Sequence, residues 1–206
     1  MKNLFIVFEG VDGSGTSTQS SLLKDYFATQ GYPAVLTCEP SNGPIGNLIR
    51  QAMKKRVLFV NDSQKFDEQM AYLFAADRHD HLYNEVDGVV KLLKDFTVIS
   101  TRYYFSSLAY HWNTQEEFEF VSKLNEKFPR PDLVIYIDIP IELGLDRISD
   151  RTSKDIYENQ QKLAKVKGNY QQIFAQYAGL ALQVDGTKDK YLIHEKIVEF
   201  IKKNFA

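Results

Sequence analysis

Residues 8–19 read FEGVDGSGTSTQ, and the reading of this stretch decides how the rest of the chain is taken. It follows a short apolar run, Leu4–Phe8, and precedes a segment of helical spacing that opens at Ser17. A strand, a glycine loop and a helix in that order bring backbone N–H groups and the positive end of a helix dipole to one point, which suits a phosphate. Gly10 and Gly15 have the separation of the pattern G-x-x-x-x-G-K-[ST], and Ser17 supplies the hydroxyl that such a loop offers to magnesium. Thr16 stands where the pattern has lysine. Taken alone, the stretch fits equally an ordinary Gly/Ser turn between a strand and a helix.

Further apolar runs rich in β-branched and aromatic residues lie at Ala34–Cys38, Thr97–Ser100, Leu133–Asp138 and Ala181–Val184. Those at Leu4, Thr97 and Leu133 are nearly continuous in apolar character, as strands buried on both faces of a parallel sheet are. Between the runs lie segments of helical spacing: Ser17–Gln30, Pro44–Lys55, Ser63–Val86, Glu116–Lys127, Ile141–Asp150, Asp155–Tyr177 and Lys190–Asn204. The alternation predicts an α/β fold, a doubly wound parallel sheet of five strands with helices on both faces. Such sheets bind ligands at the carboxyl ends of their strands. The unusual residues fall there: Glu9 to Ser17 after the first run, Glu39-Pro40 after the second, Thr101-Arg102 after the third.

The chain has 206 residues, 44% of them hydrophobic and 25% charged, which suits one packed domain over 1–206 and argues against disorder or a fibrous repeat. No apolar stretch near the start is long enough for a membrane span or a secretory core, so a cytoplasmic protein is expected. Cys38 is the only cysteine, which excludes an intrachain disulfide and a cysteine zinc cluster. A net charge of -2 argues against a nucleic-acid or membrane-surface binder, since those rely on a broad cationic field. His79 and His81 flank Asp80, but at i, i+2 they point to different helix faces, so a solvated polar turn is expected there rather than a metal site.

Several ordered stretches together resemble the thymidylate kinase family. Phe8 to Gly15 with Ser17-Thr18-Gln19 looks like that family's phosphate loop with one substitution, and Glu39-Pro40 with Gly43-Pro44-Ile45-Gly46 like its second loop. Leu73-Phe74-Ala75-Ala76-Asp77-Arg78 is similar to its acceptor helix, and Arg102-Tyr103 with Ser106 to Tyr110 to the segment after its third strand. Pro131-Asp132-Leu133 resembles the entry to its fourth strand, and Leu145, Arg147, Arg151, Asp155 and Glu158 are spaced like its lid. The resemblance implies a P-loop NTPase-type three-layer α/β fold, with a lid at about residues 147–158. It further implies a magnesium-dependent transfer of phosphoryl from ATP to dTMP, and a homodimer.

By the same resemblance, Gly10, Gly13, Ser14, Gly15, Thr16, Ser17 and Thr18 form the cradle for the ATP phosphates, with Ser17 as a magnesium ligand. Asp12, Glu39, Pro40, Phe74, Arg78, Arg102, Ser107 and Tyr110 belong to the dTMP site. In it Phe74 stacks on thymine, Arg78 reads the base edge, Arg102 clamps the phosphate, Tyr110 lies under the sugar and Asp12 faces the 3′-hydroxyl. The residues alone also allow Phe74 to be a core residue with Phe66, Met70 and Leu73, Arg78 to pair with a nearby acid, and Tyr110 to join an aromatic patch with Tyr103, Tyr104 and Phe105.

The family has an aspartate where this chain has Thr101, so Glu9, Asp12 or Glu39 would have to stand in for that carboxylate. With no basic residue at 11–14, the resemblance points to the members whose catalytic arginine sits on the lid. Arg147 would then pack by the adenine and Arg151 reach the transferring phosphoryl, with Lys154 beside it; pairing of Arg151 with Asp155 is the competing account. Loss of the loop lysine and of the Thr101 carboxylate leaves two other readings open, a catalytically weak or inactive nucleotide-binding protein and a kinase for a different nucleoside or nucleotide.

Overall fold

The computed structural model describes residues 2–57, 62–149 and 160–205. Within them the elements run β1 (Phe5–Glu9), α1 (Thr16–Thr29), β2 (Ala34–Cys38), α2 (Pro44–Met53), α3 (Ser63–Tyr83), α4 (Val89–Leu92) and β3 (Thr97–Thr101). There follow α5 (Tyr104–Tyr110), α6 (Gln115–Asn125), β4 (Leu133–Asp138), α7 (Ile141–Ile148), α8 (Gln160–Gln176), β5 (Ala181–Asp185) and α9 (Lys190–Phe205). The strands form one parallel sheet in the order β2-β3-β1-β4-β5. β1 is central, and the loop that follows it opens where its neighbours β3 and β4 diverge, the crevice in which such sheets hold ligands.

Alternate residues of the strands feed two cores, because successive side chains leave opposite faces. Leu4, Ile6 and Phe8 of the first strand region, with Ile99 and Ile135, pack on Leu23 and Phe27 of α1 and on Ile193, Ile197 and Ile201 of α9. Phe5 and Val7, with Val98, Val134 and Tyr136, pack instead on Phe105 and Ala109 of α5 and on Leu163, Val166 and Tyr170 of α8. All five β1 residues are buried; the apolar run through Phe8 predicts this for four of them, and Glu9 is buried as well. A smaller cluster, Ile49, Ala52 and Met70, joins α2 to α3.

Two helices were not expected. α5 covers YYFSSLAY from its second tyrosine, a stretch poor in strong helix formers, and tertiary packing holds it: Phe105 lies 5.3 Å from Phe174 and 5.0 Å from Tyr177, ring to ring. α4 is a single turn of four residues. The expected α3 is shortened at its end, because Asn84 turns its side chain to accept from the amides of Val86 and Asp87 and so closes a turn. Among the described residues no helix is long and apolar enough to cross a membrane.

Candidate active site

The larger cavity, about 660 Å³, lies over the head of α1. Gly15 is the residue before that helix, at φ 98 and ψ 15, and no side chain caps the helix. The first-turn amides therefore keep their hydrogens for a guest. Gly13, at φ 80, passes so close to α7 that a Cβ on it would lie 2.4 Å from the carbonyl oxygen of Gly144. Ser17 is exposed in the first turn, Thr16 half-buried, and Ser14 buried with its hydroxyl oxygen unpartnered. Arg147, on α7, donates to the carbonyl oxygens of Gly13 (3.1 Å) and Gly186 (3.2 Å), so its guanidinium bridges the loops after β1 and β5 on this cavity's wall. Lys188 and Lys190 also line the cavity. The run DGTKDK after the last strand was the available signal for them.

The smaller cavity, about 70 Å³, is enclosed by side chains that hold one another. Arg78, 1% exposed, donates from Nε to Glu39 Oε2 at 2.8 Å, pairs with that oxygen through Nη2 at 2.6 Å, and donates to Ser107 Oγ at 3.1 Å and to Asn125 Oδ1. The rings of Tyr103 and Phe128 lie 5.4 and 5.8 Å from its guanidinium carbon. The acid that pairs with Arg78 is thus distant in sequence, and the arginine still faces the cavity. Phe74 combines both sequence readings, since its side chain packs against the α2–α3 cluster and also lines the cavity 5.9 Å from the ring of His111.

Arg102 stands at the opening with φ 71, in the left-handed region that a side chain rarely adopts. Such strain persists where surrounding contacts impose it. Its Nη2 meets Asp12 Oδ1 at 2.8 Å and its Nη1 donates to Ser106 Oγ at 3.0 Å, while the guanidinium lies 5.3 Å from the centre of the Tyr110 ring. The Tyr110 hydroxyl donates to Asp12 Oδ2 at 3.1 Å. Burial, with Asp12 adding to it and Arg102 opposing, holds this phenol above its usual range. His111 is pushed down to about 3, chiefly by burial and further by Lys162 and Arg78, so its imidazole is neutral.

The expectation of a solvated turn at 79–81 is corrected. His81 is buried, with Nδ1 3.1 Å from Glu39 Oε1 and Nε2 against Thr37 Oγ1. Helical spacing puts Asp77, Arg78 and His81 on one face, and α3 turns that face toward the end of β2. Asp77 there accepts from the amide and hydroxyl of Ser41. His79 does stay exposed. Asn125 is a second residue that sequence reasoning missed; nothing in its local pattern marks a partner 47 residues away. Pro40 lines the smaller cavity, and its carbonyl accepts from Arg50 at 2.8 Å.

A family model for thymidylate kinase matches residues 8–197. The chain belongs to the thymidylate kinase family. It is 38% identical over 202 residues to a probable thymidylate kinase of Methanococcus aeolicus, covering 96% of this chain and 95% of that one. It is 35% identical over 204 residues to a probable thymidylate kinase of Thermococcus kodakarensis, covering 97% of each. At Methanocaldococcus jannaschii the likeness is 33% over 201 residues, with 97% and 96% covered.

Members of the thymidylate kinase family are transferases that phosphorylate dTMP, and a kinase of this family is consistent with a divalent metal cofactor. Within that frame the thymidylate kinase fold brings Asp12, Arg102 and Tyr110 together at one opening, and Glu39, Arg78 and Ser107 together behind it. Gly13, Ser14, Gly15, Thr16, Ser17 and Thr18 line the larger cavity as its loop and helix head, while Gly10 lies behind them against Ser14 and Ile137. Arg151 and Lys154 lie outside the described residues. Of the three carboxylates considered as stand-ins at Thr101, Glu39 is engaged by Arg78 and His81, Asp12 by Arg102 and Tyr110, and Glu9 by Tyr103, Ser106 and Tyr170.

Proposed function

We propose that this protein transfers the γ-phosphoryl group of ATP to dTMP, giving ADP and dTDP, with magnesium at the donor phosphates. The observation that carries this reading is the wall common to both cavities: Asp12, Glu39 and Arg102 line the larger and the smaller one alike. A donor in the cleft over α1 and an acceptor between Phe74 and Tyr110 would meet at that wall. Phosphoryl transfer needs little from side chains beyond such positioning and cationic groups around the equatorial oxygens.

In this reading the acceptor phosphate competes with Asp12 for the planar fork of Arg102, which suits a phosphate bidentately. Asp12, still held by the Tyr110 hydroxyl, then faces the sugar. Phe74 and the neutral imidazole of His111 flank the base, and Arg78 is kept in place by Glu39, Ser107 and Asn125. A phosphate monoester loses its second proton near pH 6, so at neutral pH the attacking oxygen carries its own charge. The new bond forms from that oxygen to the γ-phosphorus as the bond to the ADP oxygen breaks, and no side chain has to take a proton.

Magnesium takes oxygen ligands and keeps several waters, so one hydroxyl with donor phosphates is a sufficient protein contribution. The exposed Ser17 hydroxyl at the head of α1 fits that role, and among the described residues no cluster of three or more His, Cys, Asp or Glu offers another. A divalent ion held there would supply charge neutralisation at the phosphates, which Ser17 and the loop amides would orient, while Arg147 joins the loops on either side. Arg151 and Lys154 belong to the same proposal as the lid cations at about 147–158 of a single 1–206 domain. Leu48 and Tyr72, exposed on α2 and α3, support a homodimer, which sedimentation of the purified chain would test.

The test is ADP release with ATP, magnesium and each nucleoside monophosphate in turn. Turnover with dTMP in preference to the others is expected. Binding without turnover would instead favour the inactive-binder reading that Thr16 and Thr101 motivate, and preference for a different acceptor would move the assignment of the pocket.

A further inference from the structure

Glu9 ends β1 beside the phosphate loop, yet it lines neither cavity and is fully buried. Three segments converge on its carboxyl group. Oε1 accepts from the Tyr103 amide at 2.8 Å, at the bend that leaves β3; Oε2 accepts from the Ser106 hydroxyl of α5 at 2.7 Å and from the Tyr170 hydroxyl of α8 at 2.8 Å. Two of these contacts bear on Arg102. The Tyr103 amide follows directly on the left-handed Arg102, whose own amide is held by the Phe8 carbonyl at 2.8 Å, so a ladder bond on one side and Glu9 on the other confine the strained residue. Ser106 Oγ, which donates to Glu9, accepts from Arg102 Nη1 at 3.0 Å.

We propose that Glu9 is a positioning residue for the acceptor phosphate: through the Tyr103 amide and the Ser106 hydroxyl it fixes where Arg102 presents its guanidinium, and through Tyr170 it ties that arrangement to α8. This rests on the kinase reading above and deepens it, since that reading has Arg102 as the phosphate clamp and leaves unexplained what keeps an unfavourable backbone conformation in place. A carboxylate, which only accepts, suits three converging donors; an amide or a carboxylic acid carries hydrogens of its own and must turn at least one of those bonds away.

The group is also poised to change state. Burial pushes Glu9 up to about 7, against the opposing pull of Arg102 and of the hydrogen bonds from Ser106, Tyr170 and the Tyr103 amide. Among the described residues that face it, Tyr136 from β4, Tyr170 from α8 and Tyr110 from α5 are all held above the ordinary phenol range, chiefly by burial, and Arg102 is held above its ordinary range and stays charged. Asp12 lies beyond Arg102, on the far side of that guanidinium. Protonation turns one of the three accepted hydrogen bonds away and loosens the hold on Arg102, so acceptor binding should weaken as pH falls through the neutral range.

The test is steady-state kinetics on the full chain with ATP and dTMP between pH 6 and 8.5, for the natural protein, Glu9→Gln and Ser106→Ala. At pH 8, Glu9→Gln is expected to raise KM for dTMP about tenfold, the scale of a hydrogen bond to a charged group, with KM for ATP within about twofold. The natural protein should show a limb near pH 7 in kcat/KM for dTMP that Glu9→Gln lacks, both keeping the substrate's own limb near pH 6. Ser106→Ala should raise KM for dTMP while keeping the limb near pH 7.

Thermal melting separates positioning from mere support. A carboxyl raised in the folded state contributes stability that is full below its unfolded value of about 4.5 and is lost as pH rises through about 7. Glu9→Gln is therefore expected to melt no lower than the natural protein at pH 8. An unchanged dTMP KM in both variants, or a limb near pH 7 that survives in Glu9→Gln, overturns the proposal. Absence of turnover in the natural protein overturns the kinase reading instead.

Discussion

Around the larger cavity the shape is set by main-chain groups, the uncapped amides at the head of α1 and the carbonyls of Gly13 and Gly186 that Arg147 holds, with charged side chains such as Lys188 and Lys190 at its wall. Around the smaller cavity they are side chains from the loops after β1, β2 and β3 and from α3, α5 and α6, each paired with one to three others. A site made of backbone depends on a few glycine conformations and is indifferent to many side-chain changes, which is how Thr16 can stand in a loop that keeps its shape. A site made of braced side chains has the reverse tolerance: removing one member leaves its partners charged or unsatisfied and half-buried.

The comparison can be broken most directly at Arg102. Arg102→Ala is expected to lower kcat/KM for dTMP by about 10²–10³, the scale for one preorganised donor at a transferring group. Calorimetric titration should find ATP affinity changed no more than about threefold. If ATP binding falls in parallel, the two sites are not separately built and the contrast fails.

Gly13→Ala attacks the other side. The left-handed backbone costs an alanine about 1–2 kcal/mol, and the new Cβ would meet Gly144 at 2.4 Å. ATP affinity should fall roughly 10–100-fold. Binding of dTMP, read by fluorescence or calorimetry, should hold.

Tyr110→Phe sharpens the contrast within the acceptor side. It keeps the ring against Arg102 and deletes the hydroxyl that holds Asp12, so KM for dTMP should rise by about three- to tenfold, the value of one net hydrogen bond. The smallest effect is expected from Thr16→Lys. If backbone, Arg147 and the lid cations already serve the phosphates, kcat should change less than tenfold; a rise of about 10²–10³ would show a loop that lacks its cation.

The same contrast explains what could be read before any coordinates. The five strands and the glycine loop follow from local signals, apolar runs and glycine spacing, and they appear where the sequence put them; the order that makes β1 central does not follow from such signals. Asp12, Arg102 and Tyr110 were legible as members of a site through motif resemblance, while their mutual bonds were not. The ties of Arg78 to Glu39 and Asn125, of His81 to Glu39 and of Glu9 to Tyr170 join residues 39, 47, 42 and 161 positions apart, and no periodicity encodes such partners. His81 was misread for that reason, its neighbours in sequence being polar and its neighbours in space being a buried acid and a strand. α5 was missed because local propensity argues against it and the rings of α8 decide otherwise.

That short helix couples the pocket to packing that lies outside it. Ser106, Ser107 and Tyr110 all ride on α5, seven residues and about two turns long, and Arg102 lies two residues before it. These four side chains therefore move as one unit: a tilt of α5 on the rings of Phe174 and Tyr177 would carry several walls of the smaller cavity with it, although neither ring lines that cavity.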